Sequence, residues 1–184
     1  MLTLGEVRLI RLFSKKSSLN DVRDGLPELM PRLWRYCVVL TGNRDVAHDL
    51  SQSTCVRALE KAHLFQPGTK LGAWVFRIAH RIWLNELRSQ TMRRGGGLVP
   101  VEDADLPSKD LPAETNIFVG QVLSQVKALP EAQRATVMLV YVEGFSYREA
   151  AEVLDIPIGT VMSRLAAARK TLKTNLPRPE SQTA

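Results

Sequence analysis

Apolar residues recur every three or four positions along most of this chain, a spacing that predicts amphipathic helices. The most informative stretch is Leu129–Lys173. Ser146 is suited to capping a helix there, and Asp155 with Pro157 predicts a tight turn after it. A second helix follows, and its apolar positions share one face: Ile158, Val161, Leu165, Ala168 and Leu172. The pattern predicts a helix-turn-helix.

The opposite face of that second helix is small and polar, with arginines on its flanks. Its members are Gly159, Ser163, Ala166, Ala167 and Lys170, flanked by Arg164 and Arg169. A narrow helix with positive edges suits insertion into a DNA major groove. Asp155 stands where glycine is common, but aspartate tolerates a left-handed backbone better than most residues. The alternative is a plain helical hairpin with a solvated basic face.

Three helices are predicted between Pro27 and Arg94. The first has an apolar stripe and ends at Gly42-Asn43; its members are Leu29, Leu33, Tyr36, Cys37 and Leu40. Asp45 is predicted to cap the second helix, which runs to about Ala62, and Pro67-Gly68 predicts a turn. The third helix covers about Leu71 to Thr91, with Val75, Ile78, Ala79 and Ile82 buried.

The face of the third helix opposite its apolar stripe is strongly basic. Arg77, Arg81 and Arg88 are spaced by four and seven residues, so they share that face. The segment Lys70–Arg94 contains six basic residues and one acidic residue, Glu86, a net charge of +5. Because solvated faces usually mix signs, we expect an anionic partner such as nucleic acid; a plain solvated face is the alternative.

These elements predict an all-α protein of two small helical domains joined by a flexible acidic linker. The linker, at 95–120, has three prolines and five acidic residues in its first part. It follows a helical domain at 27–94 and precedes the helix-turn-helix domain at 121–175. Residues 1–26 are predicted to be a weakly structured arm with one possible helix from Leu4 to Phe13, and 176–184 a tail.

Composition narrows the function. The 184-residue chain carries a net charge of +6 with pI near 9.6, which is compatible with a polyanionic partner. Cys37 and Cys55 are too few for a disulfide framework, and free thiols are expected. There is no catalytic set, metal-ligand spacing or phosphate loop, so neither an enzyme nor a cofactor or metal is expected. No membrane-spanning run or signal peptide is apparent, which favours a cytoplasmic protein.

Taken together, the order of motifs resembles the extracytoplasmic-function group of bacterial sigma factors, in the sigma-70 superfamily. Residues Leu40–Ala62, LTGNRDVAHDLSQSTCVRALEKA, resemble the second conserved helix of that family. Residues Gly72–Arg88, GAWVFRIAHRIWLNELR, resemble the helix that contacts the downstream promoter element. The helix-turn-helix resembles the domain that reads the upstream element. The resemblance covers about four fifths of the chain.

The resemblance implies site residues in three groups. Docking on a coiled coil of RNA polymerase is implied for Asp49, Leu50, Gln52 and Arg57. Contacts to the downstream element, including a base flipped into the Phe65–Gly72 loop, are expected from Phe65, Thr69, Lys70, Trp74, Arg77, His80, Arg81 and Arg88. Contacts to the upstream element are expected from Arg148, Gly159, Thr160, Ser163, Arg164, Ala167 and Lys170.

The chain departs from the family pattern at a few positions. Ser53 stands where an acid is frequent, Arg81 where an asparagine is common, and Met162 with Ala166-Ala167 replaces polar or basic residues. These changes affect the promoter sequence expected, not the fold.

The implied function is a sigma factor that binds core RNA polymerase and directs promoter recognition and melting. The implied partners are core polymerase, promoter DNA and an anti-sigma factor, and the free protein is expected to be a monomer without membrane insertion of its own. One rival is a sigma-like decoy that binds an anti-sigma factor without reading DNA; the retained arginines, such as Arg77 and Arg164, argue against it. A dimeric helix-turn-helix repressor would not explain the basic N-terminal domain.

Overall fold

A computed structural model describes residues 4–94 and 125–175 of the chain, and the side chains of 18–90, 92 and 125–173. Every regular element in these ranges is helical, which confirms the all-α prediction. The elements are α1 (Leu4–Thr41), α2 (Arg44–Glu60), a 3-10 turn (Ala62–Leu64), α3 (Leu71–Arg94), α4 (Glu131–Val137), a π-helical turn (Met138–Val142), α5 (Tyr147–Leu154) and α6 (Ile158–Asn175). The linker predicted at 95–120 and the tail predicted at 176–184 lie outside the described residues.

Helix α1 is longer than the sequence pattern predicted. We predicted a weakly structured arm up to residue 26, but one helix runs from Leu4 through Pro27 and Pro31 to Thr41. Both prolines are exposed and lie four residues apart, so the carbonyls that they leave unpaired are on the solvent side. Val22 is fully buried and Leu26 is 6% exposed, so apolar packing holds the helix together on the other side.

The turn between α1 and α2 follows the predicted sequence signals except for the cap. Gly42 adopts φ 68°, a left-handed conformation that ends α1. The N-cap of α2 is Asn43 rather than the predicted Asp45, because the Asn43 side chain accepts hydrogen bonds from the Asp45 and Val46 amides. Asp45 lies in the first helical turn, where its charge complements the helix dipole.

Helices α1, α2 and α3 pack against one another, and most of the apolar stripes predicted for α1 and α3 are buried between them. Leu33, Tyr36 and Cys37 of α1 are fully buried, as are Val75 and Ala79 of α3. Ile78 and Ile82, which were also predicted to be core, are only partly buried at its edge. Cys37 is a buried free thiol, and Cys55 is a half-buried free thiol that contacts the Met30 sulfur at 3.2 Å, as expected for unpaired cysteines.

Helices α5 and α6 form the predicted helix-turn-helix. Ser146 and Glu149 make a reciprocal capping box at the start of α5. Asp155 ends α5 in the left-handed conformation, with φ 56° and ψ 47°. Val161, Leu165 and Ala168 of α6 are fully buried. Ile158 was predicted to join them but is 45% exposed, because it lies at the very start of the helix.

The two groups of helices pack directly against each other through the segment between α4 and α5. The π-helical turn ends in a hydrogen bond from the Glu143 amide to the Met138 carbonyl, and Gly144 follows with φ 72°. This geometry directs Phe145 onto Phe76 of α3, with ring centroids 5.5 Å apart in an edge-on contact. One apolar core therefore extends through both groups of helices.

Polar contacts close the edges of this shared core. Glu143, whose side chain is fully buried, accepts a 2.7 Å hydrogen bond from Arg32 of α1. Trp83 of α3 donates to the Glu131 carboxylate at 2.8 Å, and the Arg134 guanidinium donates to the Leu40 carbonyl at 3.4 Å.

None of the described helices combines the length and apolar content that a bilayer span requires.

The buried face of α6 gives a direct test of the helix-turn-helix core. We expect Leu165→Ala to lower the free energy of unfolding by about 2–5 kcal/mol, because it leaves a cavity at a fully buried position. Met162, three residues earlier, is 50% exposed, and Met162→Ala should change stability by no more than about 0.5 kcal/mol. Urea unfolding of both variants is the measurement; similar losses would contradict the burial pattern.

Candidate functional site

The basic face of α3 lies at the surface, as predicted, but another helix covers part of it. Arg81 and Arg88 are exposed and Arg77 is half-buried. Lys70, one residue before α3, extends the same positive surface and is exposed. Among the described residues, Arg88 has no ion pair, whereas the other three cations are each paired with an acidic residue of α5 or of its C-terminal cap.

These ion pairs join the two groups of helices. Lys70 pairs with Glu149, and Arg81 pairs with Asp155 at 3.1 Å. Arg77 donates from Nε to the Glu152 carbonyl at 2.8 Å and approaches the Glu152 carboxylate at 3.8 Å. That carbonyl lies in the last turn of α5, where no intrahelical partner is available and the helix dipole attracts a cation. Lys70, Arg77 and Arg81 are therefore neutralised by protein groups in this structure.

His80 is a structural residue in this conformation and not a surface contact. Its side chain is 6% exposed, and its Nδ1 lies 3.2 Å from the Tyr36 hydroxyl. Burial, assisted by the positive charge of Arg164, lowers the pKa of His80 to about 4. A neutral, buried imidazole cannot neutralise a phosphate, so the predicted DNA contact by His80 does not fit this arrangement.

The loop between the 3-10 turn and α3 also differs from its prediction. Phe65 is 5% exposed and packs against Trp74, with ring centroids 5.4 Å apart. Thr69 closes the loop by donating to the Gln66 carbonyl at 2.7 Å, and the residues from 66 to 70 are exposed. The loop surface available to a base is therefore polar, while Phe65 stabilises the loop from below.

The candidate recognition face of α6 is open to solvent. Exposed members of the set predicted for the upstream element are Gly159, Ser163, Ala167 and Lys170 of α6 and Arg148 of α5, and Thr160 of α6 is half-buried. The Ser163 hydroxyl donates to the Thr160 carbonyl at 3.0 Å. Arg164 differs, because it is half-buried on the flank and its charge acts on Glu131 and His80. It therefore lies close to the junction between the helix groups.

The predicted polymerase-binding residues of α2 separate into exposed and buried positions. Asp49, Gln52 and Arg57 are exposed, whereas Leu50 is 5% exposed and belongs to the core. The Gln52 amide lies 2.8 Å from His48 Nε2. Beside these residues, Val56 is 57% exposed in a shallow surface depression. The outer face of α2 thus offers polar groups around an apolar centre.

Sequence reasoning missed the acidic side of the junction. Glu149, Glu152 and Asp155 are spaced by three residues, a signal that is present in the sequence but resembles any solvated helix face. It also missed Arg32 and its buried partner Glu143, because 111 positions separate them. Neither pairing can be inferred without knowing how the helix groups pack.

Two models of known protein families match this chain, one in each half. The model described as Sigma-70 region 2 matches residues 28–93, and the one described as Sigma-70, region 4 matches residues 120–172. The chain is 33% identical over 162 residues to the ECF RNA polymerase sigma factor EcfG of Rhodopseudomonas palustris, which covers 85% of this chain and 86% of that protein. It is 32% identical over 159 residues to SigE of Mycolicibacterium smegmatis, covering 83% of this chain and 60% of that protein.

Solved structures show the same fold. The sigma factor RpoE in a co-crystal structure with the anti-sigma factor NepR from Bartonella quintana has a TM-score of 0.73 and 26% identity. The match covers 84% of this chain and 96% of that chain. CnrH, solved in complex with the cytosolic domain of CnrY, has a TM-score of 0.60 at 21% identity, a likeness of fold alone.

The buried His80 gives the protein a predictable dependence on acid. The unfolded chain binds a proton at this residue below pH 6.5, whereas the folded chain binds it only near pH 4. We therefore expect the free energy of unfolding to fall by about 3 kcal/mol as pH drops through this window.

His80→Gln should remove most of that fall, since an amide does not titrate. His63→Gln, at an exposed histidine, should retain it. Chemical unfolding at a series of pH values makes the measurement; an unchanged slope in His80→Gln would show that other groups cause the acid sensitivity. The pKa of Glu149 is lowered to about 2, so this carboxyl affects the free energy of unfolding at more acidic pH than His80 does.

Proposed function

This chain belongs to the extracytoplasmic-function group of sigma-70 RNA polymerase sigma factors, which act in transcription initiation, and we propose that it reads its promoters with two helix faces. The observation that carries the proposal is that one packed chain has an exposed, small and polar face on α6 and a basic face on α3. The first suits a major groove, and the second suits a phosphate backbone.

We assign the downstream element to α3 and the loop before it. Arg77, Arg81 and Arg88 point to one side and would neutralise successive phosphates, each contact releasing counterions. The exposed loop from 66 to 70 would receive the extruded base, with Thr69 and Lys70 as its polar contacts. Phe65 and Trp74 would stabilise this loop through their mutual packing. Because binding energy alone would open the promoter in this proposal, the chain needs no catalytic group for that step.

We assign the upstream element to α6. Gly159, Ser163 and Ala167 lie on the exposed face and are small enough for close approach to base edges. Thr160 and Arg164 lie beside them near the start of the helix, where direct base contacts are made. Arg148 and Lys170 would contact the flanking phosphates.

We assign polymerase docking to the outer face of α2. Asp49 and Gln52 are three residues apart on an exposed face, and Arg57, which is also exposed, lies five residues further along the helix. Leu50 would support this face from the core rather than touch the partner.

An anti-sigma factor is the further partner that we propose. The related RpoE of Bartonella quintana was solved with the anti-sigma factor NepR, and CnrH with a domain of CnrY. A decoy that binds such a partner without reading DNA is less well supported, since this chain keeps Arg77, Arg81, Arg88 and Arg164.

Polymerase docking is tested with the full chain and purified core enzyme. Asp49→Ala combined with Gln52→Ala should weaken core binding about tenfold, or about 1.4 kcal/mol, and reduce run-off transcription to match. The matched control removes one acid and one amide from α1, Asp21→Ala with Asn20→Ala, and should bind core normally. Equal affinity of the two double variants in a fluorescence titration would refute the assignment to α2.

Upstream recognition is tested by base substitution in mapped promoters. Arg164→Ala should lose about 1–3 kcal/mol on the preferred sequence and relax the preference at one base pair. Arg169→Ala, on the exposed flank, should weaken all sequences alike, as expected of a phosphate contact. If Arg164→Ala also weakens all sequences equally in gel-shift titrations, Arg164 does not read a base.

A further inference from the structure

Three cations of the α3 surface meet three acidic residues of the helix-turn-helix in matching order. Lys70 pairs with Glu149, Arg77 with Glu152, and Arg81 with Asp155. The order along the cationic side is therefore the same as the order along the acidic side. We call these three ion pairs the ladder. The acidic residues are spaced by three, so they share one face, which runs from the first turn of α5 to its C-terminal cap.

The acidic side of the ladder is held in position before any cation arrives. The Glu149 carboxylate accepts hydrogen bonds from the Ser146 amide and hydroxyl at 2.8 and 2.9 Å, as part of the capping box. The backbone of Asp155 is set in the left-handed conformation at the tight turn, which places its side chain at the end of α5. Little conformational freedom is therefore lost when the Glu149 side chain pairs.

The ladder is also open to exchange with solvent. The side chains of Lys70 and Arg81 are 70% and 61% exposed, and those of Glu152 and Asp155 are 58% and 76% exposed. Such pairs are individually weak and are screened by salt. A polyanion that approaches α3 can therefore displace these carboxylates from the same cations at a small cost in free energy.

We propose that the ladder is an electrostatic latch that closes the free protein and masks the downstream DNA-binding face of α3. The carboxylates of α5 occupy the positions that phosphates would take on Lys70, Arg77 and Arg81. The proposal rests on the proposed function, because it concerns the same α3 cations. DNA or polymerase must separate α5 from α3 before the downstream element can bind.

The latch masks the two DNA-reading faces unequally. The recognition face of α6, with Gly159, Ser163 and Ala167, remains exposed in the closed form. Arg88 also lies beyond the ladder and stays exposed. The closed protein can therefore meet upstream DNA first, while α3 becomes available only on opening.

The expected effect follows from the coupling between closure and binding. When only a minor fraction of the protein is open and able to bind DNA through α3, the apparent affinity for DNA falls in proportion to that fraction. One exposed ion pair changes an equilibrium by about 1.4- to 5-fold, so three together change it by roughly 3- to 100-fold. Arginines that are already paired with carboxylates also release fewer counterions when phosphates replace those carboxylates.

The test compares two triple variants of the full chain on a duplex DNA fragment that lacks promoter sequence. The latch variant is Glu149→Gln, Glu152→Gln and Asp155→Asn; glutamine preserves the capping box, and asparagine tolerates the left-handed turn. The control carries the same change of charge on exposed residues of α1, Asp21→Asn, Asp24→Asn and Glu28→Gln. Circular dichroism verifies folding of both.

We expect the latch variant to bind the duplex about tenfold more tightly than the control, with a salt dependence steeper by about one to three units. Small-angle scattering should show a larger radius of gyration for the latch variant alone. Identical affinity, salt slope and radius in the two triple variants would overturn the latch.

A charge exchange keeps the test decisive if the triple variant folds poorly. Glu152→Arg places two arginines together and should expand the protein. Adding Arg77→Glu should restore the wild-type radius. Failure of the second change to restore closure would count against the ladder.

Arg88 separates failure of the latch from failure of the proposed function. Arg88→Gln leaves the ladder intact but removes a cation from the same face. Weaker duplex binding by Arg88→Gln, with no difference between the triple variants, would leave the function standing and exclude the latch. No effect of Arg88→Gln in either background would instead remove α3 as the DNA-binding face, and the latch with it.

Discussion

The contact between Phe145 and Phe76 is the constraint on which the arrangement of this protein depends. Phe145 follows a π-helical turn and a glycine with positive φ, a geometry that lifts its ring out of the helix-turn-helix and onto α3. Phe76 in turn packs on Tyr36, whose ring centroid lies 5.1 Å away. These rings join the two groups of helices into one apolar core, since both phenylalanines are at most 7% exposed.

Once that core is formed, it determines which charged side chains around it lie close enough to pair. Glu143 is buried beside Phe145 and needs a cation, which Arg32 supplies at 2.7 Å. On the other side, α5 is brought against the positive surface of α3, where its acids meet Lys70, Arg77 and Arg81. The buried pair fixes the approach, whereas the exposed pairs are exchangeable. This difference in exposure would allow the α3 surface that we propose for DNA binding to serve also as an internal contact.

The latch that we propose would make this sigma factor present the same α3 residues differently when free and when bound to DNA. The strong positive charge of α3 favours phosphates, but in the absence of DNA it also favours any rigid array of carboxylates. The α5 acids present such carboxylates along one face, and the capping box holds the Glu149 side chain in place. The exposed face of α6 differs, because Gly159, Ser163 and Ala167 along it are small and uncharged and α5 does not cover them.

The amino-acid sequence alone determined the local elements of this protein. Helical periodicity predicted α2, α3, α5 and α6, the Asp155 turn and the basic α3 face, because each depends on residues within one or two turns. The family also followed from the order of its motifs.

Only the tertiary structure decided where those elements face. It showed that α1 continues through Pro27, since packing of Val22 and Leu26 outweighs the local effect of a proline. It placed Leu50, Phe65 and His80 in the core, although their sequence positions suited contacts with a partner. It also paired α3 with α5, across more than 70 positions of sequence. Burial and long-range charge pairing depend on how helices pack, and local periodicity does not encode that packing.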